Sequence, residues 1–116
     1  MSGVCEPEAA IARLGGDVEL YQELIRSFLD DSAGLLPRLA EAVAAGDAEA
    51  VHKASHNLKG TAATCGATSV ADVCAKMEQS ALERDLSPVA DLFAQLSLEL
   101  AEAARRLSDY YGEATR

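Results

Sequence analysis

Apolar residues in this chain return at alternating steps of three and four over successive stretches, and that rhythm leaves little room for anything but helices. The first long stretch reads Val18, Tyr21, Ile25, Phe28, Ser32, Leu35, Leu39, Val43. It is one inward stripe on one helix over 17–45, with Asp17 placed as N-cap. Pro37 falls inside it and removes a backbone donor, which predicts a kink near Ala33-Gly34. The stripe keeps its phase across the proline, so one long bent helix is expected rather than two. Ala45-Gly46-Asp47 ends it and caps the next. That helix, over 47–65, carries Ala48, Val51, Ser55, Leu58, Ala62 and Cys65 inward. Val70, Val73, Met77 and Ala81 mark a further helix over 69–84. Ser87-Pro88 supplies a cap and a proline start for the last, with Val89, Phe93, Leu96, Leu100, Ala103, Leu107 and Tyr110 inward. Ahead of them all, Pro7-Glu8 opens a short helix edged by Ile11 and Leu14 and stopped by Gly15-Gly16.

Four amphipathic helices joined by short turns can each bury one face only against the others. The expected fold is all-α, an antiparallel up-down four-helix bundle with a short extra N-terminal helix. It should occupy residues 7–111, with 1–6 and 112–116 as flexible ends. A length of 116 residues suits one domain with one core, and there is no internal repeat or low-complexity tract. The start at Met1 and the lack of a linker favour a free-standing protein over a segment of a larger one.

Charge narrows the partners. A net charge of −9 argues against nucleic acid and anionic membranes, which recruit clustered Lys and Arg. No apolar run approaches the roughly 20 residues of a membrane helix, and the N-terminus lacks the basic and apolar regions of a signal peptide. Cys5, Cys65 and Cys74 are odd in number and have no metal-ligand spacing. They are expected as reduced thiols in a cytoplasmic protein, Cys65 and Cys74 as small core residues.

The segment with chemistry is His56-Asn57-Leu58-Lys59-Gly60, followed by Gly66. Ser55 and Leu58 lie on the buried stripe, and His56 is about 100° round the helix from Ser55. Its ring should lean on the core with one edge in water. Lys59 and Gly60, at i+3 and i+4, share its face, and an ammonium there would attract a phosphate carried by the imidazole. Glycine inside a helix costs about 1 kcal/mol relative to alanine, so Gly60 needs a reason. Clearance for a partner that must reach the imidazole is one; close packing on a neighbouring helix is the other. All three lysines, Lys53, Lys59 and Lys76, fall on this helix and the next, where they could form a local positive spot.

This segment resembles the signature of histidine-containing phosphotransfer (HPt) domains, the four-helix relay modules of multistep two-component signalling. Ala12-Arg13-Leu14-Gly15-Gly16-Asp17-Val18-Glu19-Leu20-Tyr21, Phe28-Leu29-Asp30-Asp31 and Ala45-Gly46-Asp47 resemble the family's flanking text, so the likeness spans roughly residues 6–110. It implies that His56 is phosphorylated at Nε2, taking a phosphoryl group from an aspartyl phosphate on one receiver domain and passing it to another. Lys59 would assist the phosphate, Gly60 would give clearance and Gly66 would end the helix. Glu78 would match the residue that accepts a hydrogen bond from the histidine Nδ1, fixing the tautomer; a solvated surface acid is its other reading. The implied partners are receiver domains of a hybrid sensor kinase or a response regulator, met transiently by a monomer. No cofactor is implied on this chain, Mg²⁺ being expected on the receiver. The sequence has no nucleotide motif or phosphate loop, which fits a carrier without kinase or phosphatase activity of its own.

Three other readings compete. His52 and His56 at i, i+4 have a spacing familiar from zinc sites, although His52 is also read as an exposed histidine near a docking face. A helical adaptor without phosphorylation is the second. A thiol enzyme built on Cys65 or Cys74 is the third, and neither cysteine has a histidine placed to activate it.

Overall fold

A computed structural model of the chain describes residues 5–114, with side-chain surroundings for residues 5–108. It contains helices α1 (Pro7–Arg13), α2 (Val18–Ala45), α3 (Ala48–Thr64), α4 (Thr68–Leu82) and α5 (Val89–Ala114), and no strand among the described residues. Helix α2 packs on α3 and α5, and α4 packs on the same two. The four long helices therefore close a ring around one core, with α1 laid against it.

The stripes do the packing expected of them. Tyr21, Ile25, Phe28 and Leu39 of α2 meet Val51, Leu58 and Ala62 of α3, Val70, Cys74 and Met77 of α4, and Val89, Leu96, Ala103 and Leu107 of α5 in one buried cluster. Asp17 and Asp47 cap α2 and α3, their side chains accepting from the amides of Leu20 and Ala50. Helix α2 runs through Pro37 without interruption. Two ties hold α2 to the end of α3: the buried Tyr21 hydroxyl donates to the Cys65 carbonyl at 2.6 Å, and the Cys65 thiol donates to the Leu24 carbonyl at 3.4 Å.

Several expectations need correction. Val18 is 45% exposed, because the stripe overshoots the core by one turn. Ala42 is buried where Val43 was expected, and Leu35 and Val43 are half-buried. A long α-helix drifts against a strict 3.5-residue pattern. Ser87 does not cap α5: its hydroxyl and amide both donate to Asp85 Oδ1, at 2.6 and 3.2 Å. Glu6, expected in a flexible end, is fixed by its amide, which donates to the Gly66 carbonyl at 2.7 Å. Helix α5 continues past residue 111 to Ala114. Residues 1–4 and 115–116, and the side chain of Tyr110, lie outside the described residues.

Candidate functional site

The rotation of α3 sets the site. Val51, Ser55, Leu58 and Ala62 are buried, and the Ser55 hydroxyl is satisfied within its own helix by the Val51 carbonyl at 2.7 Å. With that face fixed inward, His56 turns outward and its side chain is 61% exposed. Its Nδ1 nevertheless has a firm partner, Oε2 of Glu78 on α4, at 2.8 Å. Glu78 follows the buried Met77, and this places its carboxylate at the α3/α4 seam with only 13% of the side chain exposed.

Lys59 reaches the same carboxylate from one turn further along α3, its Nζ 2.6 Å from Glu78 Oε1. The hydrogen bond from Lys59 holds the Glu78 carboxyl below the usual glutamate range against the opposing effect of burial, and the hydrogen bond from His56 adds a lesser lowering. Glu78 is thus an anion at neutral pH, accepting at both oxygens. With an anion on Nδ1, the proton of a neutral His56 belongs there, and the Nε2 lone pair is left for chemistry. Nε2 makes no hydrogen bond among the described residues.

The two readings of Gly60 separate here. A Cβ built on Gly60 would meet nothing within 4 Å, so close packing has no neighbour to explain it, and this part of the histidine face is open. Gly66 is a different case. It follows the Cys65 C-cap of α3 at φ +77°, and a Cβ there would stand 2.7 Å from the Glu6 carbonyl oxygen. It ends the helix and also admits the N-terminal segment.

His52 is not a plain exposed histidine. It is half-buried and stacks on His56, with ring centroids 6.0 Å apart and planes 15° from parallel. Its Nε2 lies 3.4 Å from Glu78 Oε2, the oxygen that also holds His56. The i, i+4 pair therefore shares a carboxylate, and no group of three or more His, Cys, Asp or Glu that could hold a metal occurs among the described residues. All three cysteines are free. Burial pushes the Cys65 thiol up to about 11 and the Cys74 thiol up to about 12, so both are protonated at neutral pH and poor nucleophiles.

Sequence reasoning placed His56, Lys59 and Gly60 on one face, where they are found. It missed the His52–Glu78 approach and the Lys59–Glu78 ion pair. They join residues 26 and 19 positions apart across two helices, and no periodicity within either helix encodes them. A shallow groove runs along the α2/α3 seam, lined by Asp30, Leu35, Arg38 and Asn57, where Asn57 adjoins His56 in sequence.

The sequence model of the Hpt domain family matches residues 23–106. The fold is similar to the crystal structure of histidine-containing phosphotransfer protein B (HptB) from Pseudomonas aeruginosa PAO1. The TM-score is 0.88 at 25% sequence identity, over 97% of this chain and 98% of that one. No curated protein matches the chain.

Proposed function

The chain belongs to the Hpt domain family, the histidine phosphotransfer modules of two-component phosphorelays, and from that membership we propose that His56 is the residue that carries the phosphoryl group. The observation that supports this most directly is the 2.8 Å contact of Nδ1 with Glu78 on a ring that is 61% exposed. One nitrogen is committed to an anion, and the other makes no hydrogen bond among the described residues.

The transfer follows from those two facts. The Nε2 lone pair attacks the phosphorus of an aspartyl phosphate on a receiver domain. The N–P bond forms as the P–O bond breaks, and the leaving aspartate keeps the bonding electrons. The Nδ1 proton stays in place, so the ring acquires a positive charge, which the Glu78 carboxylate faces. Lys59 stands one turn away and supplies an ammonium for the new phosphoryl oxygens. Return transfer to a second receiver reverses each bond change.

Such a step needs positioning and charge more than covalent machinery. Mg²⁺ would come with the receiver, and this chain would hold no cofactor and have no kinase or phosphatase activity of its own. The encounter would be brief, between a monomeric carrier and the receiver of a hybrid sensor kinase or a response regulator. Three free cysteines are in keeping with a reducing compartment such as the cytoplasm.

The test is to incubate the protein with a phosphorylated receiver domain and map the acid-labile, base-stable label by mass spectrometry. Label is expected on His56 and absent from His56→Gln. Label surviving in that variant would overturn the site assignment. Zinc affinity lost in both His52→Ala and His56→Ala would favour the metal reading instead.

A further inference from the structure

We propose that His52 is a positioning residue for phosphotransfer, acting through Glu78: it keeps the carboxylate on His56 Nδ1 once Lys59 has left for the phosphoryl group. The inference rests on His56 being the phosphorylated residue.

In the unphosphorylated protein Glu78 is held at Oε1 by Lys59 at 2.6 Å and at Oε2 by His56 at 2.8 Å, with His52 Nε2 standing back from Oε2 at 3.4 Å. The first two contacts are firm and the third is long. Phosphorylation changes the competition. A phosphoryl group on Nε2 carries close to two negative charges, against one on Glu78, and the Lys59 ammonium sits on the same face one turn along. The ammonium is drawn to the phosphoryl oxygens, which leaves Oε1 without its donor.

Glu78 is needed most at that moment, because the ring now carries the positive charge. His52 is the nearest replacement. It lies one turn before His56, and its ring is already parallel to that of His56. Its Nε2 needs to close only a few tenths of an ångström to reach ordinary hydrogen-bond length. A donor at that point holds the carboxylate against rotation into water and so keeps it on Nδ1. His52 touches neither phosphate nor partner in this account.

The stack alone would also orient His56, and the two roles are separable. His52→Phe keeps an aromatic ring beside His56 but cannot donate. His52→Gln loses the ring and places an amide N–H near the position of Nε2. Phosphoramidate serves as the donor, so receiver docking does not enter: its P–N bond breaks, ammonia leaves and the Nε2–P bond forms. Phosphohistidine is followed by ³¹P NMR, and the Nδ1 proton of the phosphorylated ring by ¹H–¹⁵N NMR.

His52→Phe should form phosphohistidine about tenfold more slowly, as expected for a lost donor to a charged group, and its Nδ1 proton signal should be lost to exchange with water. His52→Gln should stay within about twofold of wild type and keep the signal. A His52→Phe protein with wild-type rate and signal overturns the proposal, as does a His52→Gln protein as slow as His52→Phe. Wild-type protein that takes no label at His56 would overturn the site reading and this inference together. Label in wild type with equal rates in all three proteins overturns this inference alone.

Discussion

Lys59 puts its ammonium 2.6 Å from Glu78 Oε1 while His56 Nδ1 holds Oε2 at 2.8 Å, so the carboxylate is engaged at both oxygens before any phosphate arrives. Removing its charge should therefore act on the chemistry more than on the fold. A glutamine at this position still accepts from Nδ1 but cannot balance a positive ring. Hydrogen bonds to charged groups are worth about 1.5–3 kcal/mol, so Glu78→Gln is expected to slow labelling of His56 by about tenfold, measured as phosphohistidine formed per unit time from phosphoramidate. The carboxyl is held below the usual glutamate range, chiefly by Lys59 and then by His56, and this sets a pH dependence. A lowered value in the folded state means the carboxylate stabilises the fold above the unfolded value, near 4.3 for Glu, and the contribution is lost as pH falls through the lowered one. The melting temperature of wild type should exceed that of Glu78→Gln by a constant margin above about pH 5, and the margin should shrink below about pH 4. Of this cluster, the positions of His56 and Lys59 could be read from helical spacing, and Glu78 came only from resemblance. The approach of His52 depends on how α3 crosses α4, which no local pattern contains.

Helix α3 is the element in which position and periodicity agree most closely. Asp47 caps it, Val51, Ser55, Leu58 and Ala62 bury one face, and everything chemical follows from the angle that this leaves for the other. The same periodicity served less well at α2, where Ala42 rather than Val43 is buried because small errors of phase accumulate along 28 residues. It failed at the start of α5, where Ser87 turns back to Asp85; cap chemistry depends on a single side-chain torsion, which composition does not fix. Gly60 is the position on α3 that neither packing nor periodicity requires. Nothing lies within 4 Å of a Cβ placed there, so Gly60→Ala should stabilise the protein by about 0.5–1 kcal/mol through helix propensity alone, read from denaturant unfolding. Gly60→Leu should keep the helical circular dichroism signal and still be labelled by phosphoramidate, yet lose transfer from a receiver domain by about a hundredfold, as expected when close approach of the reacting groups is blocked. Normal transfer in Gly60→Leu would show that the open face is not used for approach.

Across the whole molecule, the chemistry and the principal N-terminal fastening are kept apart. The family match begins at residue 23, inside α2, so α1 lies ahead of it and is attached by its own contacts. The Glu6 amide donates to the Gly66 carbonyl at 2.7 Å, the Arg13 guanidinium donates to the Ala63 carbonyl at 3.0 Å, and Ala10 is fully buried. Pro7 and the double glycine announced a short helix, but not where it docks, because its anchor lies some sixty residues away in sequence. The anchor point is Gly66, ten residues past His56 and therefore about 15 Å further along the helix rise. A side chain there meets two obstacles: φ is +77°, and its Cβ would stand 2.7 Å from the Glu6 carbonyl oxygen and 3.2 Å from the Ala10 Cβ. The left-handed conformation costs an alanine about 1–2 kcal/mol, and relieving the contact would displace α1 as well. Gly66→Ala should therefore lose about 2 kcal/mol or more of unfolding free energy, with a fall in melting temperature of about 10 °C. Asparagine tolerates the left-handed region better but brings the same Cβ, so Gly66→Asn should recover only part of the loss; full recovery would mean that α1 gives way freely and only the backbone angle matters. At 25 °C both variants should stay folded and take phosphate on His56 at the wild-type rate, because the Glu78 carboxylate and its partners lie between α3 and α4, away from the clasp. A slower rate in a fully folded Gly66→Ala protein would instead show that the docking of α1 governs the rotation of α3, and with it the exposure of His56.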